Sequence, residues 1–392
     1  MRAFLNKKYY FFALLENKKY NKIMKTLSLI IPVYNEENTL KSLVDEVLKI
    51  ENHQFFKENS IALELVLVDD CSKDNSLAIA KEIEKEKNNV KVFSHDINKG
   101  KGAALKTGFQ VASGDFIGIQ DADMEYDPFD YIKLIKPLLE DKADVVYGSR
   151  YLTQDTRRVL YFWHTFMNKG LTLLTNMYTN LGITDMEVCY KLFKKEVIKE
   201  IAPKLKENRF GFEPEVTIHV AKGKYRLYEC AISYNPRSYE EGKKIGAKDG
   251  LRALYCILHY GGSTAPLPMQ FLLYILIGGI SAIINICAFL ILADISTNLL
   301  FNVIFAFLIS ALVNYLLCIT LLFRHKAHYN SFGEIVAYAI TLLIMGAMDY
   351  WVTAGLLFIG ATNFWAKAIS SLVGLIGNFV LRKYFVFLEK KN

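Results

Sequence analysis

Two aspartates two residues apart end an apolar run at Asp121 and Asp123, within the stretch IQDADMEYDP. In an extended segment, side chains two apart point to one side. Both carboxylates can therefore share one divalent cation, or one cation and a ribose. A hard cation such as Mg2+ or Mn2+ takes oxygen ligands and neutralises a departing diphosphate. The competing reading is a solvated acidic turn. It is weakened by the apolar residues before the pair and by three further polar clusters that also follow apolar runs: Tyr34-Asn35-Glu36, Asp69-Asp70 and Gly148-Ser149-Arg150. Asp70 suits a base edge or ribose hydroxyls, with helix capping as the alternative. In NKGKGAALKTG, glycines together with Lys99 and Lys101 stand at a helix start, a setting that suits a phosphate.

The elements that must position these residues alternate. Strands are expected at LSLIIPVY, ALELVLVDD, VKVFSH, GDFIGIQDAD and ADVVYGSR. Helical periodicity lies between them, from about Asn38 to Ile50 and in DNSLAIAKEIEKEK, GKGAALKTGFQVA and FDYIKLIKPLLE. Strands separated by single helices imply right-handed crossovers and a mostly parallel sheet covered on both faces. Ligands of such sheets gather at the carboxyl ends of the strands, where all four polar clusters fall. The fold expectation is an α/β, Rossmann-like domain followed by an all-α membrane domain.

The chain has 392 residues, 52% hydrophobic and 22% charged, and its charges concentrate before about residue 262. The formal charge of +7 is spread rather than striped, which excludes a nucleic-acid track and leaves anionic phospholipid as the basic-surface partner. Six cysteines without a C-x-x-C pair read as reduced, buried thiols. His95, His164 and His219 lack companion ligands at zinc spacing, and no Walker A lysine motif is present. Residues 1–24 resemble a charged leader but lack a small-residue cleavage site, so a signal peptide is not expected. Met24 directly precedes the first strand, and the segment before it reads as a translation-start artefact or a short interfacial helix.

After Pro266 and Pro268 come four apolar stretches, about 269–293, 299–323, 334–359 and 363–388, each long enough to span a bilayer. Basic residues in RHKAHYNSFGE and in the tail RKYFVFLEKKN place the middle loop, the C-terminus and the large domain on the cytoplasmic side. NYLLCITLLF from Asn314 echoes NFVLRKYFVF from Asn378, as expected of two related hairpins. Glu334 and Lys367 lie near helix ends and can snorkel. Asp349 sits deeper, with a helix–helix hydrogen bond and lipid handling as open alternatives. KDGLRALYCILHYGG, flanked by Lys248, Arg252 and His259, reads as an interfacial helix, with a core helix as its alternative. The expected division is therefore 1–24 extension, 25–245 catalytic domain, 246–268 interfacial helix and linker, and 269–392 transmembrane domain.

PVYNEE, VDDCSKD, NKGKGAA, QDADMEYDP and YGSR, in this order and spacing, resemble family 2 glycosyltransferases of the GT-A fold, in the branch of dolichol-phosphate mannose or glucose synthases. RRVLYFWHTFMNKGLTLLTN, TDMEVCYKLF, NRFGFEPEVT and YNPRSYEEGKKIGAKDGLRALYCIL resemble the same branch, so the likeness covers nearly all of 25–260. The membrane part resembles a GtrA-like four-helix domain. The resemblance implies that Asp121 and Asp123 bind metal and donor diphosphate, with Gln120 beside them. It places Pro32, Tyr34, Glu36 and Asp70 around the nucleotide and Lys101 nearby. Arg150 matches an arginine that binds the acceptor phosphate, with Arg158 assisting. Glu213, Glu215, Arg237 and Lys243 match a region that closes over the site.

The implied reaction moves a hexose from a nucleotide sugar of the GDP-mannose or UDP-glucose type to dolichyl or undecaprenyl phosphate. A phosphate acceptor is already an anion and needs no general base, so positioning dominates. A single in-line displacement inverts the anomeric centre. The implied cofactor is Mg2+ or Mn2+. The expected partners are the nucleotide-sugar donor, the polyprenyl-phosphate lipid and the membrane, with a homo-oligomer left open and nucleic acid excluded. The alternative is a lipid-linked sugar carrier or flippase subunit with a non-catalytic sugar-nucleotide domain. A processive polysaccharide synthase is set aside because Q-x-x-R-W is absent.

Overall fold

The computed structural model describes residues 24–152, 156–236, 246–323 and 331–387. The chain divides into two compact units, Met1–Ile257 and Leu258–Asn392. In the first, seven strands form one sheet: β1 (Lys25–Val33), β2 (Ile61–Asp69), β3 (Val90–Ser94), β4 (Phe116–Ile119), β5 (Val145–Ser149), β6 (Lys191–Lys194) and β7 (Leu227–Ala231). Their order is β3-β2-β1-β4-β6-β5-β7, with every pairing parallel except those of β6, which runs against both β4 and β5. The mostly parallel sheet agrees with expectation, and the five strands anticipated from apolar runs are β1 to β5. Leu29, Ile30 and Ile31 of β1, and Leu65 to Val68 of β2, are fully buried, as strands covered on both faces require.

Eight helices surround the sheet: α1 (Leu40–Lys49), α2 (Gln54–Asn59), α3 (Ser76–Glu86), α4 (Lys101–Val111), α5 (Tyr131–Leu139), α6 (Phe162–Thr179), α7 (Lys195–Ile201) and α8 (Phe212–Lys222). A ninth, α9 (Ala247–Gly261), coincides with the anticipated amphipathic helix. Its Ala253, Cys256 and Ile257 are buried, while Leu251 and Tyr255 are exposed. Arg252 grips Glu207 through both carboxylate oxygens, at 2.7 and 3.0 Å.

Register sets the strand tips level. Asp70 N–H donates to the Val33 carbonyl (2.8 Å), and Gln120 N–H donates to the Ile30 carbonyl (2.9 Å). The chain therefore leaves β1, β2 and β4 along one rim. Gly108 brings α4 down onto β1, because any Cβ there would collide with the Ile30 side chain. That contact aims the first residue of α4, Lys101, at the rim.

The second unit contains α10 (Leu267–Ile295), α11 (Leu299–Leu317), α12 (Ser331–Phe358) and α13 (Asn363–Leu381). Leu267–Leu292 and Phe305–Leu322 are long and apolar enough to cross a membrane. The echo between Asn314 and Asn378 has a structural counterpart. Four residues after each asparagine the helix widens into a π turn, over Cys318–Leu322 and Arg382–Val386. Each turn closes with a phenylalanine N–H donating five residues back at 2.8 Å, Phe323 to Cys318 and Phe387 to Arg382. The two closing rings stack, with centroids 4.7 Å apart. The side chains of Glu334, Asp349 and Lys367, the loop 324–330, residues 1–23, and Arg237 and Lys243 lie outside the described residues.

Candidate active site

The motif turns at the ends of β1 and β2 hold each other. Asn35 adopts φ 53°, its N–H donates to Ser72 Oγ (3.0 Å), and its side-chain oxygen accepts from Lys73 N–H (2.8 Å). Glu36 N–H donates to Ser76 Oγ at 2.8 Å. Tyr34 and Glu36 are thereby fixed on the wall of a cavity of 450 Å³ that also receives Pro32, Asp70, Lys101, Asp121, Asp123 and Arg150. The four strand ends do converge on one crevice.

Asp70 is almost fully buried, and it clamps the following loop rather than capping a helix. Its carboxylate accepts from Lys99 N–H (2.9 Å) and Gly100 N–H (2.6 Å) and meets His95 Nδ1 at 2.7 Å. His95 Nε2 lies 2.9 Å from Thr107 Oγ1 on α4. The glycines of this loop answer to packing. Gly100 has φ 99°, and a Cβ on it would collide with the Asn208 carbonyl; one on Gly102 would lie 2.7 Å from the Glu207 carbonyl. Both stay side-chain-free so that the segment 207–209 can cover the start of α4. Lys99 is exposed and off the wall.

At the end of β4, Gln120 is fully buried and stands behind the cavity wall. It accepts from Tyr190 Oη (2.6 Å) and donates to the Asp121 carbonyl (3.0 Å), which fixes the backbone of the acidic pair. Lys101 Nζ lies 2.8 Å from Asp121 and 3.4 Å from Glu213. Burial alone would lower the Lys101 pKa, but the adjacent anionic groups, led by Asp121, hold it well above its ordinary value. Asp123 accepts from Glu125 N–H at 3.1 Å, shaping the turn that follows. Asp121 and Asp123 face one cavity, but not as alternate residues of a strand: β4 ends at Ile119, the pair lies on the turn beyond it, and Ala122 between them lines the same cavity.

Arg150 follows β5 and is locked. Its Nε and Nη2 donate to the two oxygens of Asp185 at 2.7 and 2.8 Å, and its guanidinium lies 5.1 Å from the Tyr234 ring centre. Burial opposes this charge, yet Asp185 keeps it firmly protonated. Arg158 is exposed, donates to the Pro236 carbonyl at 3.4 Å, and does not line the cavity. Glu215 is fully buried and receives Lys206 and Glu207 N–H groups, so it braces the 205–209 loop from behind, whereas Glu213 reaches the wall.

Glu187, Cys189, Arg209 and Tyr234 also line the cavity; they fall within TDMEVCYKLF, NRFGFEPEVT and YNPRSYEEGKKIGAKDGLRALYCIL, whose family likeness assigns none of them a role. Glu187 and Cys189 arrive because β6 is reversed, so the chain entering it passes the same rim. Burial, with Glu213 nearby, pushes the Glu187 carboxyl above its ordinary range. Helix α6 supplies His164, Thr165 and Asn168 to the wall. Around the rest of its first turns, Phe162, Trp163, Phe166 and Met167 are 54–72% exposed. Aromatic and apolar positions spaced three and four apart in YFWHTFMNKG carry that signal in the sequence.

The sequence profile of the glycosyl transferase family 2 matches residues 28–202, and that of the GtrA/DPMS transmembrane domain matches residues 273–387. Dolichyl-phosphate beta-glucosyltransferase ALG5D of Trichomonas vaginalis is 30% identical over 217 residues, 53% of this chain and 65% of that protein. UDP-N-acetylglucosamine–dolichyl-phosphate N-acetylglucosaminyltransferase of Methanococcus voltae is 30% identical over 249 residues, 60% of this chain and 95% of that protein. Among solved structures, glucosyl-3-phosphoglycerate synthase of Mycobacterium tuberculosis aligns at a TM-score of 0.46 with 19% identity, covering 62% of this chain and 81% of that one.

Proposed function

The chain belongs to glycosyl transferase family 2 and carries a GtrA/DPMS transmembrane domain, and from that premise we propose that it transfers a hexose from a nucleotide sugar to a polyprenyl phosphate. The observation that carries the lipid acceptor is the double character of α6. One side of this helix lines the cavity through His164, Thr165 and Asn168, while Phe162, Trp163 and Phe166 stand exposed beside it. A helix with such a face lies in a membrane interface. The acceptor phosphate would enter the cavity as its chain remains in lipid.

Within the cavity the roles divide by charge. Arg150, prevented by Asp185 from swinging, holds the acceptor phosphate in line with the anomeric carbon. The acceptor oxygen is an anion and attacks without proton removal. Lys101 stabilises the charge that grows on the departing nucleoside diphosphate. Pro32, Tyr34, Glu36 and Asp70 line the side where the nucleotide rests. One displacement inverts the anomeric centre, so an α-linked donor yields a β-linked lipid.

The donor set also fits a divalent cation. Among the described residues no three acidic, His or Cys side chains form a metal cage. Mg2+ is ordinarily held by one or two carboxylates together with substrate phosphates, and Asp121 and Asp123 supply two carboxylates on one wall. Bound there, Mg2+ or Mn2+ would neutralise the leaving diphosphate. The membrane arrangement belongs to the same proposal: α10 to α13 all cross, and the catalytic unit and C-terminus face the cytoplasm.

The test incubates membranes containing the full chain with polyprenyl phosphate, Mg2+ or Mn2+ and a panel of labelled nucleotide sugars. Label from one donor should become extractable into organic solvent. No lipid label from any donor sinks the proposal.

A further inference from the structure

The second unit holds a buried arginine that the proposed transfer does not use. Arg382 opens the π turn after α13 and is 6% exposed. Its Nη1 donates to Asn314 Oδ1 and lies 3.9 Å from Cys318 Sγ. Its guanidinium carbon is 4.7 Å from the Tyr338 ring centre and 5.5 Å from that of Tyr274. Every one of these partners is neutral. Among the described residues its Nε has no hydrogen-bond partner, and one turn earlier the buried side-chain oxygen of Asn378 has none either. The next residue, Lys383, donates to Gln270 Oε1 at 2.6 Å, so a second cation here has a neutral partner among the described residues.

The turn itself does not call for an arginine. The matching turn after α11 is built in the same way with Cys318 in the equivalent place. A buried guanidinium among apolar helices is costly unless an anion or other polar group meets it, and ionisable side chains in such settings mark ligand sites. An arginine fork matches phosphate oxygens in geometry as well as charge. Apolar surroundings favour a phosphate that carries hydrocarbon over a free ion.

We propose that Arg382, assisted by Lys383, binds the phosphate headgroup of a lipid within the second unit, at a site separate from the strand-end cavity. The experiment uses the full chain in detergent, and in parallel its Arg150→Ala variant so that lipid held in the catalytic cavity is discounted. Bound lipid is counted by native mass spectrometry after exposure to dioleoyl phosphatidate, to dioleoylglycerol, which lacks only the phosphate, to a polyprenyl monophosphate, or to inorganic phosphate. In both proteins phosphatidate should be retained about tenfold better than dioleoylglycerol, and Arg382→Gln should abolish that preference while Arg382→Lys keeps part of it. Tighter retention of polyprenyl monophosphate than of phosphatidate identifies the prenyl lipid as the ligand, and equal retention identifies bulk anionic lipid. Equal retention of phosphatidate and dioleoylglycerol overturns the proposal, as does an undiminished preference in Arg382→Gln or capture of inorganic phosphate without lipid. If Arg382→Gln is not recovered folded, the comparison of the two lipids on the unmodified and Arg150→Ala proteins still decides.

Discussion

The ammonium of Lys101 sits 2.8 Å from the Asp121 carboxylate, joining the first residue of α4 to the second residue beyond β4. Glu213 lies on its other side at 3.4 Å, so one cation holds two acids together at the cavity wall.

Lys101→Met removes that cation and leaves two carboxylates facing each other. The expected result is a fall of about a hundredfold in kcat/KM for the donor. Steady-state kinetics with a labelled donor, beside a thermal melt to correct for lost stability, measures it.

Asp123→Asn keeps the size of the side chain and removes a hard anionic ligand. Transfer should require far more Mg2+ or Mn2+ and fall on the order of a hundredfold at fixed metal. Metal titration of turnover in the variant tests this, and an unchanged profile removes Asp123 from the metal role.

Arg150→Ala should raise the acceptor KM much more than the donor KM. Asp185→Asn weakens the clamp while leaving the arginine in place, and it should lower kcat and cost about 3 kcal/mol of stability through a buried charge without its partner. Comparing the two variants separates charge from positioning.

Trp163→Glu and Phe166→Glu place charge on the exposed face of α6, away from the cavity wall. Nucleotide binding should stay unchanged. Transfer to polyprenyl phosphate in vesicles should drop several-fold, and equal activity in vesicles would refute the interfacial role.

Glu64 predicts an acid limb of stability. Burial would raise its carboxyl, but Lys91, Ser28 and Ser113 together hold it down to about 2. The folded value lies below the ordinary 4.5, so the contribution is present above about pH 4.5 and is lost as pH falls toward 2, amounting to about 3 kcal/mol. Melting temperature against pH, in the unmodified chain and in Glu64→Gln, should show this limb flattened in the variant.

Strands β1, β2, β4 and β5 were readable because strands buried on both faces leave unbroken apolar runs that end in polar clusters, whereas β3, at the sheet edge with Lys91 and Ser94 exposed, was readable as a short apolar stretch between two helices. The four-residue β6 was not. It starts with Lys191, whose buried ammonium is satisfied by the Met186 and Val188 carbonyls rather than by solvent, so a lysine that reads as surface is core. Missing β6 hid the reversal that carries Glu187 and Cys189 to the rim. The roles of Gly100 and Gly102 were equally hidden, because the segment that requires them, 207–209, is about a hundred residues away. Gln120 read as part of the binding motif and stands instead behind it.

The reversed strand also sets an order of assembly. Pairing of β4 with β6 joins Phe116 to Lys194, and β5 reaches β4 only through β6. Distant pairings of this kind are slow because a long loop must close first. During synthesis the crevice formed by β1, β2 and β4 can thus be in place while Arg150 still lacks Asp185. A chain halted before Asp185 would carry the ends of β1, β2 and β4 and lack the partner that locks Arg150, so the two sides of the cavity mature at different times.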